Sequence, residues 1–198
     1  SGSNQLQGYC KPMELAFQKW LRARYQTDEA LQQAWRRPGA ALDTAKVPSY
    51  EARYDRDKTT FRNPETQMDV IDFYTFYNDI VPDTIDFAAR VIKDYTKGTK
   101  VCGAFYGFMF AFRGDPEYGH NGLERYLKSE NLDFIFVTAS YINRHFATGG
   151  TFQRGPARSI MLNGKLYYHD SDSMSFVSPE VFKRLNWQKD VLAECLFY

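Results

Sequence analysis

The stretch Gly164-Lys165-Leu166-Tyr167-Tyr168-His169-Asp170-Ser171-Asp172 ends a β-prone run in one histidine and two carboxylates. At the C-terminal end of a strand in a parallel α/β sheet or barrel, such side chains line an active site. Asp170 has the chemistry of a nucleophile or a general base. A carboxylate can attack an anomeric carbon, given a second carboxyl roughly 5 to 9.5 Å away. The competing reading makes Asp170 and Asp172 a solvated turn or a helix cap. His120 or His169 beside these aspartates would suit a metal, but neither H-x-x-x-H nor H-E-x-x-H occurs, so no metal site is assigned.

Two further runs should deliver residues to the same rim. The first, Lys100 to Phe110, brings Tyr106 and then His120-Asn121 after its loop. The second, Leu132 to Thr138, leads to Ser140-Tyr141 and Arg144. Tyr141 either donates a hydrogen bond to a nearby carboxylate or closes the strand, and Arg144 either binds a ligand or pairs with Asp172. Carboxylates, His and Asn pair with sugar hydroxyls, while aromatic faces cover apolar ring faces. A carbohydrate is therefore the partner this rim fits. Gly119-His120-Asn121-Gly122 is only a weak phosphate signal, since no Walker, dinucleotide or G-x-S-x-G motif is present.

The elements that must position these residues follow from capping and periodicity. Lys11 to Tyr25 reads as a helix with Pro12 in its first turn, and Asp28 to Trp35 as a second, capped by Thr27. Asn63-Pro64-Glu65 signals the start of a long helix running to about Thr96, with apolar residues spaced three and four apart. Pro82 should kink it or split it. Lys100 to Phe110 carries no charge after its first residue, as expected for a strand covered on both faces. Short helices over Gly122–Ser129 and Pro156–Leu162 separate it from the next two strands. A last helix opens at Ser178-Pro179-Glu180. Alternating strands and helices imply a parallel sheet with right-handed crossovers.

Composition narrows the function class. Of 198 residues 43% are hydrophobic and 17% aromatic, enough for a sizeable core. With 25 basic and 24 acidic residues the net charge is +1, which argues against nucleic acid and against an anionic membrane surface. No apolar run approaches the roughly 18 residues of a membrane span. Cys10, Cys102 and Cys195 are too few and too far apart for a disulfide framework or a C-x-x-C site, and are read as buried, reduced thiols. Residues 1–3, Ser-Gly-Ser, look like a cloning scar, leaving 4–198 as one α/β domain.

Phe17-Gln18-Lys19-Trp20-Leu21-Arg22-Ala23-Arg24-Tyr25, then Leu31 and Ala34-Trp35, resembles the F-x-x-W-L-x-x-[RK]-Y…L-x-x-A-W segment of β-galactosidase-like glycoside hydrolases of family 42 and its relatives. Gly103-Ala104-Phe105-Tyr106-Gly107, Gly119-His120-Asn121, Asp133-Phe134, Ser140-Tyr141, Arg144 and Gly164-Lys165-Leu166 continue the pattern in order. The resemblance implies a partial TIM-type (β/α)8 barrel, its three parallel strands standing as strands five to seven of eight. It implies retaining hydrolysis of a β-glycoside, with no cofactor. Asp170 would hold the nucleophile position with Tyr141 orienting it, and Tyr106, His120, Asn121, Arg144 and Asp172 would line the sugar site. Two departures stand out. The family's acid/base glutamate segment has no counterpart here. The motif G-K-L-x-x-x-E-x-D-x-R-T reads Asp170 for the glutamate and Met174 for the arginine. An aspartate reaches about 1.5 Å less, one C–C bond. The expectation is a fragment or degenerate relative of such a hydrolase, or a non-catalytic carbohydrate-binding protein derived from it, with open sheet edges that invite homo-oligomers.

Overall fold

The structure, a computed structural model, describes residues 9–54, 61–110, 116–138 and 155–170, with Thr138, His169 and Asp170 described by backbone alone. Tyr141, Arg144, Asp172, Cys195 and the expected last helix lie outside these residues. The described residues fall into two compact units. One lies within Ser1–Ile80 together with Pro116–Gly119, the other within Val81–Asp115 together with His120–Tyr198.

The first unit is helical. Helices α1 (Lys11–Tyr25) and α2 (Asp28–Trp35) have the expected bounds, because their signals are local. Thr27 Oγ1 accepts from the Ala30 amide at 3.2 Å, capping α2. A short α3 (Tyr50–Tyr54) follows, then α4 (Met68–Thr96). The α4 start is a correction: Asn63-Pro64-Glu65 forms a turn before the helix, in which Asn63 Oδ1 accepts from the Glu65 amide at 2.9 Å. Pro82 does not split α4, which is one continuous helix. Phe17, Leu21, Leu31, Trp35, Phe73 and Phe76 make the core of this unit. At its heart Asp72 is fully buried, its Oδ2 accepting from Tyr25 Oη and Trp35 Nε1, both at 2.7 Å.

The second unit is α/β, with three parallel strands and short helices, compatible with part of a barrel. Strands β1 (Gly103–Phe105), β2 (Phe134–Thr138) and β3 (Leu166–Asp170) pair in the order β1-β2-β3, both pairings parallel. Helices α5 (Leu123–Lys128) and α6 (Ala157–Leu162) intervene. The three runs thus lie side by side and point one way, as the alternating pattern requires. The expected strand over Lys100–Phe110 is corrected to three residues, and it is not covered on both faces, since Phe105 is 54% exposed.

Two features shorten β1. Gly107 turns the chain with φ +78°. Tyr126, fully buried on α5, inserts its hydroxyl between β1 and β2: it accepts from the Ala104 amide at 2.9 Å and donates to the Phe134 carbonyl at 2.8 Å. Burial pushes its phenol up to about 12, so it stays a donor. Gly103 is required beside this bridge, because a Cβ there would meet the Phe134 carbonyl oxygen at 2.3 Å. Tyr126→Phe removes the bridge and takes the partner from two part-buried backbone groups. Its expected cost is about 2 kcal/mol, read as a lower urea midpoint with an unchanged slope.

The N-terminal edge of the sheet is tied by charge. Asp133 accepts from the Cys102 amide and from Lys93 Nζ, both at 2.7 Å. Lys165 Nζ donates to the Ser129 and Leu132 carbonyls at 2.5 and 2.6 Å. Cys102 is buried, as expected of a structural thiol, whereas Cys10 is exposed, which corrects the reading of it as a buried one.

Candidate active site

Because the strands are parallel, their C-terminal ends share one edge of the sheet. β1 runs into Tyr106 and Gly107 there, and β3 ends at Asp170, paired opposite Thr138 of β2. The backbone therefore brings the Asp170 position and the segment after β1 to the same edge.

Around β1 the site is built on His120. Its Nδ1 accepts from the Gly107 amide at 3.1 Å, so the neutral ring carries its proton on Nε2. The imidazole centroid lies 5.1 Å from the Tyr106 ring and 5.2 Å from Phe108, the latter edge-on. Tyr106 stacks in turn on Tyr126 at 5.0 Å. Tyr106 is 1% exposed and belongs to the core, so it seats His120 rather than presenting a surface to a ligand. Asn121, next in sequence, is exposed. Of the seven residues marked out by sequence, the structure joins Tyr106 to His120, sets Asn121 beside them and ends β3 at Asp170. Tyr141, Arg144 and Asp172 are outside the described residues.

Burial pulls the His120 imidazole down to about 4. The sign of the linkage follows. An unfolded chain takes up this proton from about pH 6.5 downward, the folded chain only below about pH 4. Stability contributed by neutral His120 is thus complete above pH 6.5 and is lost as pH falls toward 4, by about 3 kcal/mol in all. Urea midpoints between pH 7 and 4 should show this fall, and His120→Gln should flatten it. The imidazole nitrogen resonances of His120 should hold the Nε2–H pattern down to pH 5.

Sequence reasoning passed over two buried groups, one in each unit. Tyr126 gave no signal beyond its place in a short apolar helix. Glu117, in the 3-10 turn Pro116–Tyr118, is buried with its carboxylate on Arg53 and Tyr74. An isolated acid in a polar loop carries no mark that distinguishes it from a solvated one. Among the described residues no group of three His, Cys, Asp or Glu could hold a metal.

Comparison with known proteins gives a consistent set of relatives. The model of glycoside hydrolase family 42, described as beta-galactosidase, matches residues 1–177. A beta-galactosidase of Thermus thermophilus is 28% identical over 126 residues, 64% of this chain and 17% of the relative. The beta-galactosidase BgaA of a Thermus species is 25% identical over the same shares of each chain. The matched stretch is therefore about one sixth of the length of either relative.

Proposed function

From the premise that this chain belongs to glycoside hydrolase family 42, the β-galactosidase family, we propose that it carries the nucleophile side of a retaining β-glycosidase site. In this reading it is a fragment or degenerate relative of a larger (β/α)8 barrel. β1, β2 and β3 stand as strands five, six and seven, and residues 4–198 form one part of the barrel domain. The substrate class is a β-galactoside-like carbohydrate, and the chemistry needs no cofactor.

One observation carries the reading: β3 ends at Asp170 in a sheet whose strands are all parallel and in chain order. Active-site carboxylates of such sheets stand at the C-terminal strand ends. The Asp170 carboxylate attacks the anomeric carbon, forming a C–O bond as the bond to the leaving oxygen breaks. In a retaining enzyme a second carboxyl protonates that oxygen and later activates water. A leaving group stable as an anion departs without that proton, which makes an activated aryl glycoside the sensitive substrate. Tyr141 orients the nucleophile, and His120, Asn121, Arg144 and Asp172 hold sugar hydroxyls, with Tyr106 acting beneath His120.

The test is release of nitrophenolate from a 4-nitrophenyl β-galactoside by the chain and by Asp170→Ala. Release that the substitution abolishes supports the enzyme. Saturable galactoside binding with no release supports instead a carbohydrate-binding protein built on the same strands. Neither binding nor release overturns both.

A further inference from the structure

The helical unit holds a cavity of about 350 Å³ that the glycosidase reading does not use. The loop between α2 and α3 forms much of its wall. Three side chains from α1 and α2 pin that loop by its backbone. Gln32 Nε2 donates to the Ala40 carbonyl at 3.0 Å, and Gln18 Nε2, itself buried, donates to the Ala45 carbonyl at 2.9 Å. Asp28 Oδ1 accepts from the Leu42 amide at 2.8 Å. A wall fixed in advance needs little ordering when a ligand arrives, and the volume lies in the range of small-molecule sites.

The lining is of two kinds. Trp35, Ala45 and Pro48 are buried and supply apolar surface. Arg37, Lys46, Thr44 and Ser49 are exposed and supply charge and hydroxyls. The Arg37 guanidinium lies 5.8 Å from the centroid of the Trp35 ring, and its Nη2 donates to Asp69 Oδ2 at 2.9 Å. A guanidinium has five N–H donors, and this contact uses one of them. The Lys46 ammonium forms no ion pair or hydrogen bond among the described residues. Ser49 Oγ accepts from the Ala52 amide at 3.3 Å and keeps its own O–H to donate.

Charge narrows the ligand. Arg37 and Lys46 against Asp69 leave one positive charge in excess, which a monoanion balances. A phosphate monoester carries about −1.5 to −2 near neutral pH and would overshoot beside Asp69. The planar fork of arginine also matches a carboxylate. The apolar lining asks for a ring behind that carboxylate.

We propose that this cavity binds a small ring-bearing carboxylate, held between Lys46 and the remaining N–H groups of Arg37 with its ring on the apolar lining. Two sources share this chemistry, a hexuronic acid and an aromatic acid. The Thr44 and Ser49 hydroxyls can pair with the ring hydroxyls of the first and have nothing to pair with on the second. The proposal stands on the helical unit alone and does not depend on the role of Asp170.

The experiment titrates the 198-residue chain with galacturonate and, separately, with phenylacetate, following the backbone amide resonances of Gly39, Ala41 and Val47. Galactose, 2-phenylethanol and inorganic phosphate are the controls. At least one of the acids should shift these amides saturably, and each control should bind at least about tenfold more weakly. Tighter binding of galacturonate assigns the site to a sugar acid, and tighter binding of phenylacetate to an aromatic one. Lys46→Met and Arg37→Met should each weaken the acid by about tenfold or more, while Lys46→Arg retains it. Arg36→Met, which removes a neighbouring surface arginine paired with Glu65, should leave binding unchanged. Asp170→Ala should bind as the unaltered chain does, so failure of this site and failure of the glycosidase reading are told apart. The proposal is overturned if neither acid shifts the amides, if phosphate or a neutral control binds as tightly, or if binding is indifferent to Lys46→Met.

Discussion

Replacing Arg53 with leucine should lower the stability of the first unit by about 3–5 kcal/mol. Arg53 and Glu117 are 1% and 6% exposed, and both are held in one network. Arg53 Nε donates to Glu117 Oε1 at 2.8 Å, Nη2 donates to Oε2, and Tyr74 donates its hydroxyl to Oε1. The guanidinium also lies 4.7 Å from the centroid of the Phe73 ring. Removing the arginine takes two charge-assisted bonds from a buried carboxylate, and that lost compensation is the source of the loss. The pair itself is a different quantity. Desolvation of two charges offsets most of their attraction, so Arg53→Leu combined with Glu117→Leu should lose far less than the two single changes added together. Urea unfolding of all four proteins measures this. Single losses below about 1 kcal/mol, or strict additivity, would show that the network stabilises nothing as a unit.

The second large effect concerns chemistry. With 4-nitrophenyl β-galactoside, Asp170→Ala should reduce nitrophenolate release on the order of a thousandfold or more. The kinetic form is as informative as the size. A nitrophenolate leaves without a proton, so attack by Asp170 proceeds without the acid/base carboxyl. Hydrolysis of the resulting glycosyl ester needs a base to activate water, and with so good a leaving group it is the slower of the two steps. The expected trace is a burst of up to one equivalent followed by slow turnover. Unactivated alkyl galactosides should give no burst at all.

Local signals were legible and non-local ones were not. Pro12 and the Thr27 cap act within one turn, and α1 and α2 run from Lys11 to Tyr25 and Asp28 to Trp35 as their sequences predict. The parallel order was legible too, because alternating strands and helices leave few topologies. The extent of β1 was not. An uncharged run looks like a long strand, but its end is set by the Gly107 turn and by a hydroxyl from Tyr126, 22 residues beyond Ala104 along the chain. The Asn63 signal was real yet spent on a turn, with the helix proper delayed to Met68. Tyr106 shows the same limit at the site. An aromatic at a strand end fits a ligand surface or a core equally well by sequence, and only the stack on Tyr126 assigns it to the core.

The identity of the nucleophile bears most directly on the central claim that β3 delivers Asp170 to a glycosidase site. A 2-deoxy-2-fluoro-β-galactosyl fluoride forms the glycosyl ester and hydrolyses it very slowly, so the labelled residue persists for peptide mass spectrometry. The account predicts one fluorosugar per chain, carried on Asp170 and absent from Asp170→Ala. A label on any other carboxylate, Glu117 included, would contradict it, as would catalytic release of nitrophenolate by a chain that takes up no label.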